Sequence, residues 1–337
     1  MNIIYGIFFI IFGLITGSFL NVCILECKEE ELFDFPNNFD ELSKKEKVEV
    51  EERFKAFKKE QLSKKIKAFK IFATRKSHCM SCGYELKPYD MIPVLSFFIY
   101  KGKCRKCGEK LSIQYPIVEG LNAILYFVIL YANDFQINIT TIFMCIIASI
   151  LLLVSVVDIR IMEMPNITSI IIATIGISKL IYEYKEGIYH FSKFSLIFSI
   201  IFFIILFVAC WFDYVGFGDF KLLLACSFFI GIRNIIISYI LASIFGTIVY
   251  VPQLVIKARK SKKEQEEKIN KNDKSEVETE KVSENIENNK ENNKEGLSLK
   301  KQIPFGPFLA LGIFITMLYG DAIFYGYLSL IGINKLF

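Results

Sequence analysis

Asp219 stands in the run Gly216-Phe217-Gly218-Asp219-Phe220-Lys221-Leu222, at the mouth of a nearly all-apolar stretch, 223–232. A carboxylate at the edge of a bilayer is costly unless it is paired, solvated or functional. The two glycines before it carry no Cβ and allow close approach of backbone or substrate. A second acid, Asp158, ends an earlier apolar run, 140–157. Two acids at the ends of two membrane helices are what aspartic peptide hydrolysis needs. One carboxylate activates water as general base, and the other, protonated, donates to the scissile carbonyl. Close like charges split the two apparent pKa values so that one acid stays neutral, and low dielectric strengthens the split. Taken alone, Asp158 also reads as a helix cap or as the ion-pair partner of Arg160. Lys221 reads as a headgroup anchor or as a group that tunes Asp219. Asp213, on the same side, reads as a solvated loop residue.

A second constellation is made of cysteines. Cys79 and Cys82 are followed, after 21 residues, by Cys104 and Cys107. Each CxxC offers two thiolates to one ion, and two such knuckles complete a tetrahedral all-thiolate zinc site. Gly83 and Gly108 follow the second cysteine of each pair, where a tight turn is expected. Free thiols or an iron centre are the other readings of the spacing. His78 adjoins Cys79, but four cysteines already fill the shell, and His190 reads as a loop residue. Cys23, Cys27, Cys145, Cys210 and Cys226 lie in or beside apolar helices and read as small packing residues.

These groups need a membrane scaffold to position them. The chain has 337 residues, 53% of them hydrophobic and 22% charged, with a mean hydropathy of +0.42. Apolar stretches alternate with two dense charged blocks, which is the pattern of a polytopic membrane protein. The net charge of +5 comes from those blocks, so no nucleic-acid partner is expected. The expected fold is an all-α membrane bundle of about eight transmembrane helices with a small cytoplasmic four-cysteine zinc module. The spans are placed at 2–25, 114–132, 138–157, 166–182, 192–212, 219–232, 234–256 and 305–331. The sixth is short for a span. The first lacks a basic start and a cleavage site and reads as a retained helix. Its Gly13 and Gly17 form a GxxxG, a close-contact motif that also arises by chance in apolar runs.

The domain plan is a first helix, 1–25, and a cytoplasmic domain, 26–113, with the cysteine module at 75–112. A peptidase core, 114–256, a disordered charged loop, 257–301, and a last helix, 302–337, complete it. In the loop, 261–296 are Lys, Glu and Asn with few apolar residues, too few to bury a core; a solvated helix is the competing reading. Phe54, Phe57, Ile66 and Phe69 recur at helical spacing, so an amphipathic helix is expected within 28–70. The positive-inside rule places the basic blocks 28–76 and 257–301 in the cytoplasm and loop 133–137, which has no Lys or Arg, outside. Lys185 and Lys193 then fall outside, against the rule. On this topology Asp158 and Asp219 both lie at the cytoplasmic face.

The motifs together resemble the prepilin peptidases, the type IV leader peptidase family of membrane aspartic proteases with a GxGD motif. Gly17-Ser18-Phe19-Leu20-Asn21-Val22 resembles the first-helix signature. Arg75-Lys76-Ser77-His78-Cys79 with the second CxxC is similar to the family's cysteine module. Asp90-Met91-Ile92-Pro93 and Tyr115-Pro116-Ile117-Val118-Glu119 follow in family order. Asp158 with Met164-Pro165-Asn166 resembles the first catalytic motif, Gly216 to Leu222 the second, and Pro304-Phe305-Gly306-Pro307-Phe308-Leu309-Ala310 the entry to the last helix. Asn166 stands where an acid is frequent, and the insertion 257–300 is unusually long.

The resemblance implies a bacterial inner-membrane enzyme. It would cut the basic leader from type IV prepilins or pseudopilins at the cytoplasmic membrane face. It would use Asp158 and Asp219, supported by Gly216, Gly218 and Lys221. It also implies methylation of the new N-terminus with S-adenosylmethionine, for which the chain shows no glycine-rich donor fingerprint. The competing readings are a non-enzymatic transporter or scaffold with a zinc knuckle, and a related GxGD peptidase that does not methylate.

Overall fold

The computed structural model describes residues 2–27, 77–79, 81–187, 193–212, 214–275 and 304–331. The amphipathic helix expected within 28–70, Asp213 and His190 lie outside the described residues. Nine α-helices are described: α1 Asn2–Glu26, α2 Leu95–Ile99, α3 Gln114–Ala132, α4 Ile139–Ile161, α5 Asn166–Lys185, α6 Lys193–Trp211, α7 Phe217–Ile230, α8 Ile232–Ser275 and α9 Gly306–Ile331. Among the described residues the only β-structure is two isolated bridges. An all-helical plan follows from the solvent, because in lipid each backbone N–H and C=O must find its partner within its own segment.

Among the described residues six helices are long and apolar enough to cross a membrane: Asn2–Leu25, Gln114–Ala132, Ile139–Ile161, Asn166–Lys185, Ile232–Gln253 and Gly306–Tyr327. Two of the eight expected spans are shorter. The apolar part of α6 is Ile197–Trp211. α7 has 14 residues, about 21 Å at ~1.5 Å per residue, against a hydrocarbon core of ~30 Å. Glycines bound it, Gly216 at its start and Gly231, with φ 80°, at its end. The eighth helix departs from expectation in the other direction. The block 257–301 was expected to be a disordered loop from its first residue, yet α8 runs unbroken to Ser275. The physical reason is propensity: Ala, Lys, Arg, Gln and Glu dominate 257–268, all strong helix formers that extend a helix already nucleated in the membrane. Residues 276–303 lie outside the described ones.

The chain divides into two units, Met1–Phe127 and Val128–Phe337. In the first, α1 packs on α3 through the GxxxG. A Cβ on Gly13 would stand 2.7 Å from Ala123 Cα, and one on Gly17 2.7 Å from Glu119 Cα. The missing side chains let the two backbones touch, and polar groups then lock them. Asn122 Nδ2 donates to Gly13 O at 2.8 Å and to Thr16 Oγ1 at 2.6 Å, and Asn21 Nδ2 to Tyr115 O at 3.0 Å. Gly17→Ala is expected to force the helices apart and to cost about 1–3 kcal/mol, the usual range for overpacking. A lowered thermal midpoint of the detergent-solubilised protein checks this; an unchanged midpoint contradicts it.

In the second unit the same device recurs. A Cβ on Gly312 of α9 would meet Ser238 O of α8 at 2.5 Å, and one on Gly320 would meet Asn234 at 2.7 Å. Ser238 and Thr316 hydroxyls hydrogen-bond across this seam, and Arg233 pairs with Asp321. α5 meets α7 at Gly176, where a Cβ would stand 2.7 Å from Phe228 Cβ, and Lys179 Nζ donates to Phe229 O at 2.8 Å. The rings of Phe203 and Phe207 on α6 pack edgewise on Phe220 of α7, at 6.1 and 6.0 Å. The effect is to fix the start of α7, where Asp219 lies.

Candidate active site and metal centre

Asp158 lies in the last turn of α4. The helix stops three residues later, where Met162 adopts a left-handed conformation, φ 55°, and returns its N–H to Asp158 O. Asp219 occupies the first turn of α7, whose N-cap is Gly216. Both carboxylates are buried, at 6% and 9% exposure, and Asp158 is close enough to act electrostatically on Asp219. Among the described residues neither carboxylate pairs with a lysine or arginine, and the two approach each other from the last turn of α4 and the first turn of α7.

Glycines shape that pocket. A Cβ on Gly216 would stand 2.9 Å from Asp219 Oδ2, so the carboxylate folds back over the space the glycine leaves. Gly306, at the start of α9, donates its N–H to Asp158 Oδ2 at 2.9 Å. A Cβ there would stand 2.7 Å from that same oxygen. Between the two sites runs Met164. Its side chain would be 3.1 Å from a Cβ on Gly218 and 2.9 Å from one on Gly306. Among the described residues Asp219 Oδ1 is buried without a hydrogen-bond partner, an arrangement that usually calls for a water, an ion or a reacting group. Lys221 turns away from the acids: its Nζ donates to Asn166 Oδ1 at 2.9 Å and lies 4.7 Å from the Phe217 ring centroid. It therefore ties α5 to α7. Asn166, in the position where an acid is frequent, is its acceptor.

Four contributors carried no assigned role in the sequence. Gly306 and Met164 stood inside quoted motifs, but nothing local links them to a carboxylate. Tyr250 of α8 had no sequence signal. Its hydroxyl donates to Pro304 O at 3.3 Å, which holds the segment that presents Gly306, and it lies within electrostatic reach of Asp158. Tyr239 lies within electrostatic reach of Asp219.

The four cysteines come together. The Sγ atoms of Cys79, Cys82, Cys104 and Cys107 all lie within 4.8 Å of one another. The two knuckles are one structure repeated 25 residues apart. Gly83 N donates to Cys79 O, and Gly108 N to Cys104 O, both at 2.9 Å. Cys79 N donates to Tyr84 O at 2.9 Å, and Cys104 N to Glu109 O at 2.8 Å. The isolated bridges His78↔Glu85 and Lys103↔Lys110 close each turn. The turns need φ 68° at Gly83 and 73° at Gly108, the left-handed region that glycine enters without strain. In the first knuckle the N–H groups of Cys82 and Ser81 point at the Cys79 sulfur and hold its thiol down to about 6. A depressed thiol is a thiolate, the form that binds metal. The cluster fits a metal ion, and His78 is not part of it. Between the knuckles, Asp90 accepts from Tyr84 Oη at 3.2 Å and pairs with Arg105 at 3.8 Å, which braces the two turns. Of the remaining cysteines, Cys145 and Cys226 are buried, and Cys23, Cys27 and Cys210 are half-buried.

Two family models match the chain in order. The bacterial peptidase A24 N-terminal domain covers residues 11–133, and the type IV leader peptidase family covers residues 145–251. Similar curated proteins carry the name prepilin leader peptidase/N-methyltransferase. The one from Bacillus subtilis (strain 168) is 25% identical over 264 residues, 77% of this chain and 88% of the relative. The one from Legionella pneumophila is 26% identical over 331 residues, 95% and 93%. The one from Vibrio cholerae is 28% identical over 258 residues, 74% and 86%. No solved structure matches the chain. With the cysteine module inside the first matched domain and the Gly216-to-Asp219 motif inside the second, the chain belongs to the type IV leader peptidase family.

Proposed function

We propose that this chain is a multi-pass inner-membrane aspartic endopeptidase that removes the basic leader from type IV prepilins or pseudopilins, and that it then methylates the new N-terminus. The observation that carries this reading is the juxtaposition of Asp158 and Asp219, two buried carboxylates near enough to act on each other electrostatically, with glycines at 216 and 306 where side chains would collide with them. Asp158 is oriented through Oδ2 by the Gly306 N–H. Asp219 keeps Oδ1 for water or for the scissile carbonyl. One carboxylate takes the proton of the attacking water while the other gives its proton to the carbonyl oxygen, and the collapse of the intermediate returns the pair to its starting state. Gly216 leaves room for the folded-back Asp219 carboxylate and Gly218 for the Met164 side chain, which together set the position of the second acid. Both acids belong at the cytoplasmic face, where a leader that has not crossed the membrane remains, as the distribution of basic residues implies.

The second activity is supported by the relatives' shared name. Methylation draws on S-adenosylmethionine and must follow cleavage, because only cleavage frees the accepting amine. The test is to incubate the purified protein in liposomes with a candidate prepilin and the donor, then to read the new N-terminus by mass spectrometry. A shortened pilin bearing one added methyl is the expected product. An intact leader contradicts the peptidase reading, and a cut but unmethylated pilin contradicts the second activity.

The metal is best read as zinc, held by Cys79, Cys82, Cys104 and Cys107, and its contribution is to cross-link the knuckles. Metal analysis is expected to return about one zinc per chain. Cys104→Ser is expected to expose residues 77–112 to protease, since binding of the ion and folding of so small a module are one event. Metal-free protein with the segment still protected contradicts this.

A further inference from the structure

Between the two cysteine knuckles lies a short helix whose apolar side is left exposed among the described residues. α2 exposes Leu95, Phe98 and Ile99 at 54, 68 and 59%. Their spacing of three and four residues puts them on one face. Contiguous exposed apolar side chains of this size mark a contact surface.

One hydrogen bond fixes where that face lies. Val94, immediately before α2, donates its N–H to Glu119 Oε2 at 2.7 Å. Glu119 is in the second turn of α3, a membrane span. α3 has an outward stripe of its own in Ile117, Leu121 and Ile124, and exposed Ile113 extends it by one turn ahead of the helix. Residues recurring every three or four positions on a span are its lipid-facing surface. Glu119 lies on the buried face of α3, opposite that stripe, so the bond pins the start of α2 to the first turns of the span, at the level where the span enters the headgroups.

The placement is built at a cost. Val94 is β-branched yet holds φ 60°, ψ −49°, with the Leu95 N–H turned back to Pro93 O. Such a residue persists only where its surroundings over-determine it. Here the buried Glu119 carboxylate does so, held in turn by Ser18 and Asn21 of α1. Two exposed cations, Lys101 and Lys103, follow α2 directly.

We propose that α2 is an interfacial helix: Leu95, Phe98 and Ile99 enter the boundary between acyl chains and headgroups of an anionic bilayer, with Lys101 and Lys103 at the phosphates. The lipid surface meets α2 at the level where α3 enters the bilayer and seats the metal module against the membrane. Basic residues beside an apolar helix face are the pattern of interfacial binding, and lysine stems reach the headgroups by snorkelling.

The chain has one tryptophan, Trp211, so a single reporter can be moved. The full-length protein carrying Trp211→Phe and Phe98→Trp is reconstituted in vesicles of phosphatidylcholine and phosphatidylglycerol that contain lipids brominated near the carbonyl. The expected result is blue-shifted emission that the shallow bromolipids quench and aqueous iodide does not. Trp211→Phe with Lys110→Trp, on the second knuckle, is the comparison and is expected to be quenched by iodide instead. Iodide quenching of the residue 98 reporter without bromolipid quenching shows a face turned to water and overturns the proposal. Protection from both quenchers shows that protein, a second copy or another chain, covers α2, and overturns it equally. The reading of peptidase activity does not enter either outcome.

Discussion

Asp158→Asn and Asp219→Asn are each expected to reduce leader cleavage by about 10²–10⁴-fold, the range over which positioned proton transfer contributes. The substitution preserves shape and removes the exchangeable proton. Because the two acids work as one unit, the double variant should be scarcely worse than either single one. The fall belongs in kcat, with KM little changed, since neither carboxylate is needed to hold the leader or the apolar helix behind it. Each variant is expected to insert and to melt close to the wild type: an amide is as easily buried as a carboxyl in this pocket, and no basic partner is orphaned by the change. Steady-state cleavage of a synthetic prepilin in liposomes measures this. Substantial turnover by either variant at equal protein would remove the paired-acid mechanism.

Gly306→Ala is expected to lower cleavage by about 10²-fold, as displacing a reacting group by an ångström does. The new Cβ would stand 2.7 Å from Asp158 Oδ2 and 2.9 Å from Met164 Cε. Both clashing atoms are the ends of side chains. The fold therefore accommodates the methyl by moving the carboxylate, and stability changes less than activity. Tyr250→Phe, which loses only the bond to Pro304 O, is expected to have a smaller effect in the same direction. A Gly306→Ala enzyme with wild-type kcat would show that the contact does not orient Asp158.

What could be seen in the sequence follows from the range of each interaction. The membrane spans are local, since each apolar run declares its helix, and Gly13 and Gly17 declared a contact that the structure closes onto Glu119 and Ala123. The cysteine spacing is local twice over, and the repeat of 25 residues reappears as two knuckles with the same hydrogen bonds. Asp219 was legible because its glycines precede it in the chain. The Gly306 N–H that orients Asp158 was not, because 148 residues separate donor and acceptor. Nothing near either residue indicates the other. Met164 was hidden for a related reason: its role is to fill the space left by two glycines from other segments. The helix of α8 reaches Ser275, in line with the solvated-helix reading of the start of the charged block, because a helix continuing out of the membrane needs no core of its own. The short helix α2 gave no periodic signal, since five residues are too few to display one.

The measurement that bears most directly on the central claim is a mass spectrum of one mixture. Uncut prepilin and the same pilin without its leader are incubated together with S-adenosylmethionine and the reconstituted protein. The wild type is expected to consume the uncut form and to leave all pilin shortened and methylated. Asp158→Asn and Asp219→Asn are each expected to leave the uncut form whole while still methylating the shortened one. Cleavage by either variant, or an intact leader after the wild type has methylated the shortened pilin, contradicts the account.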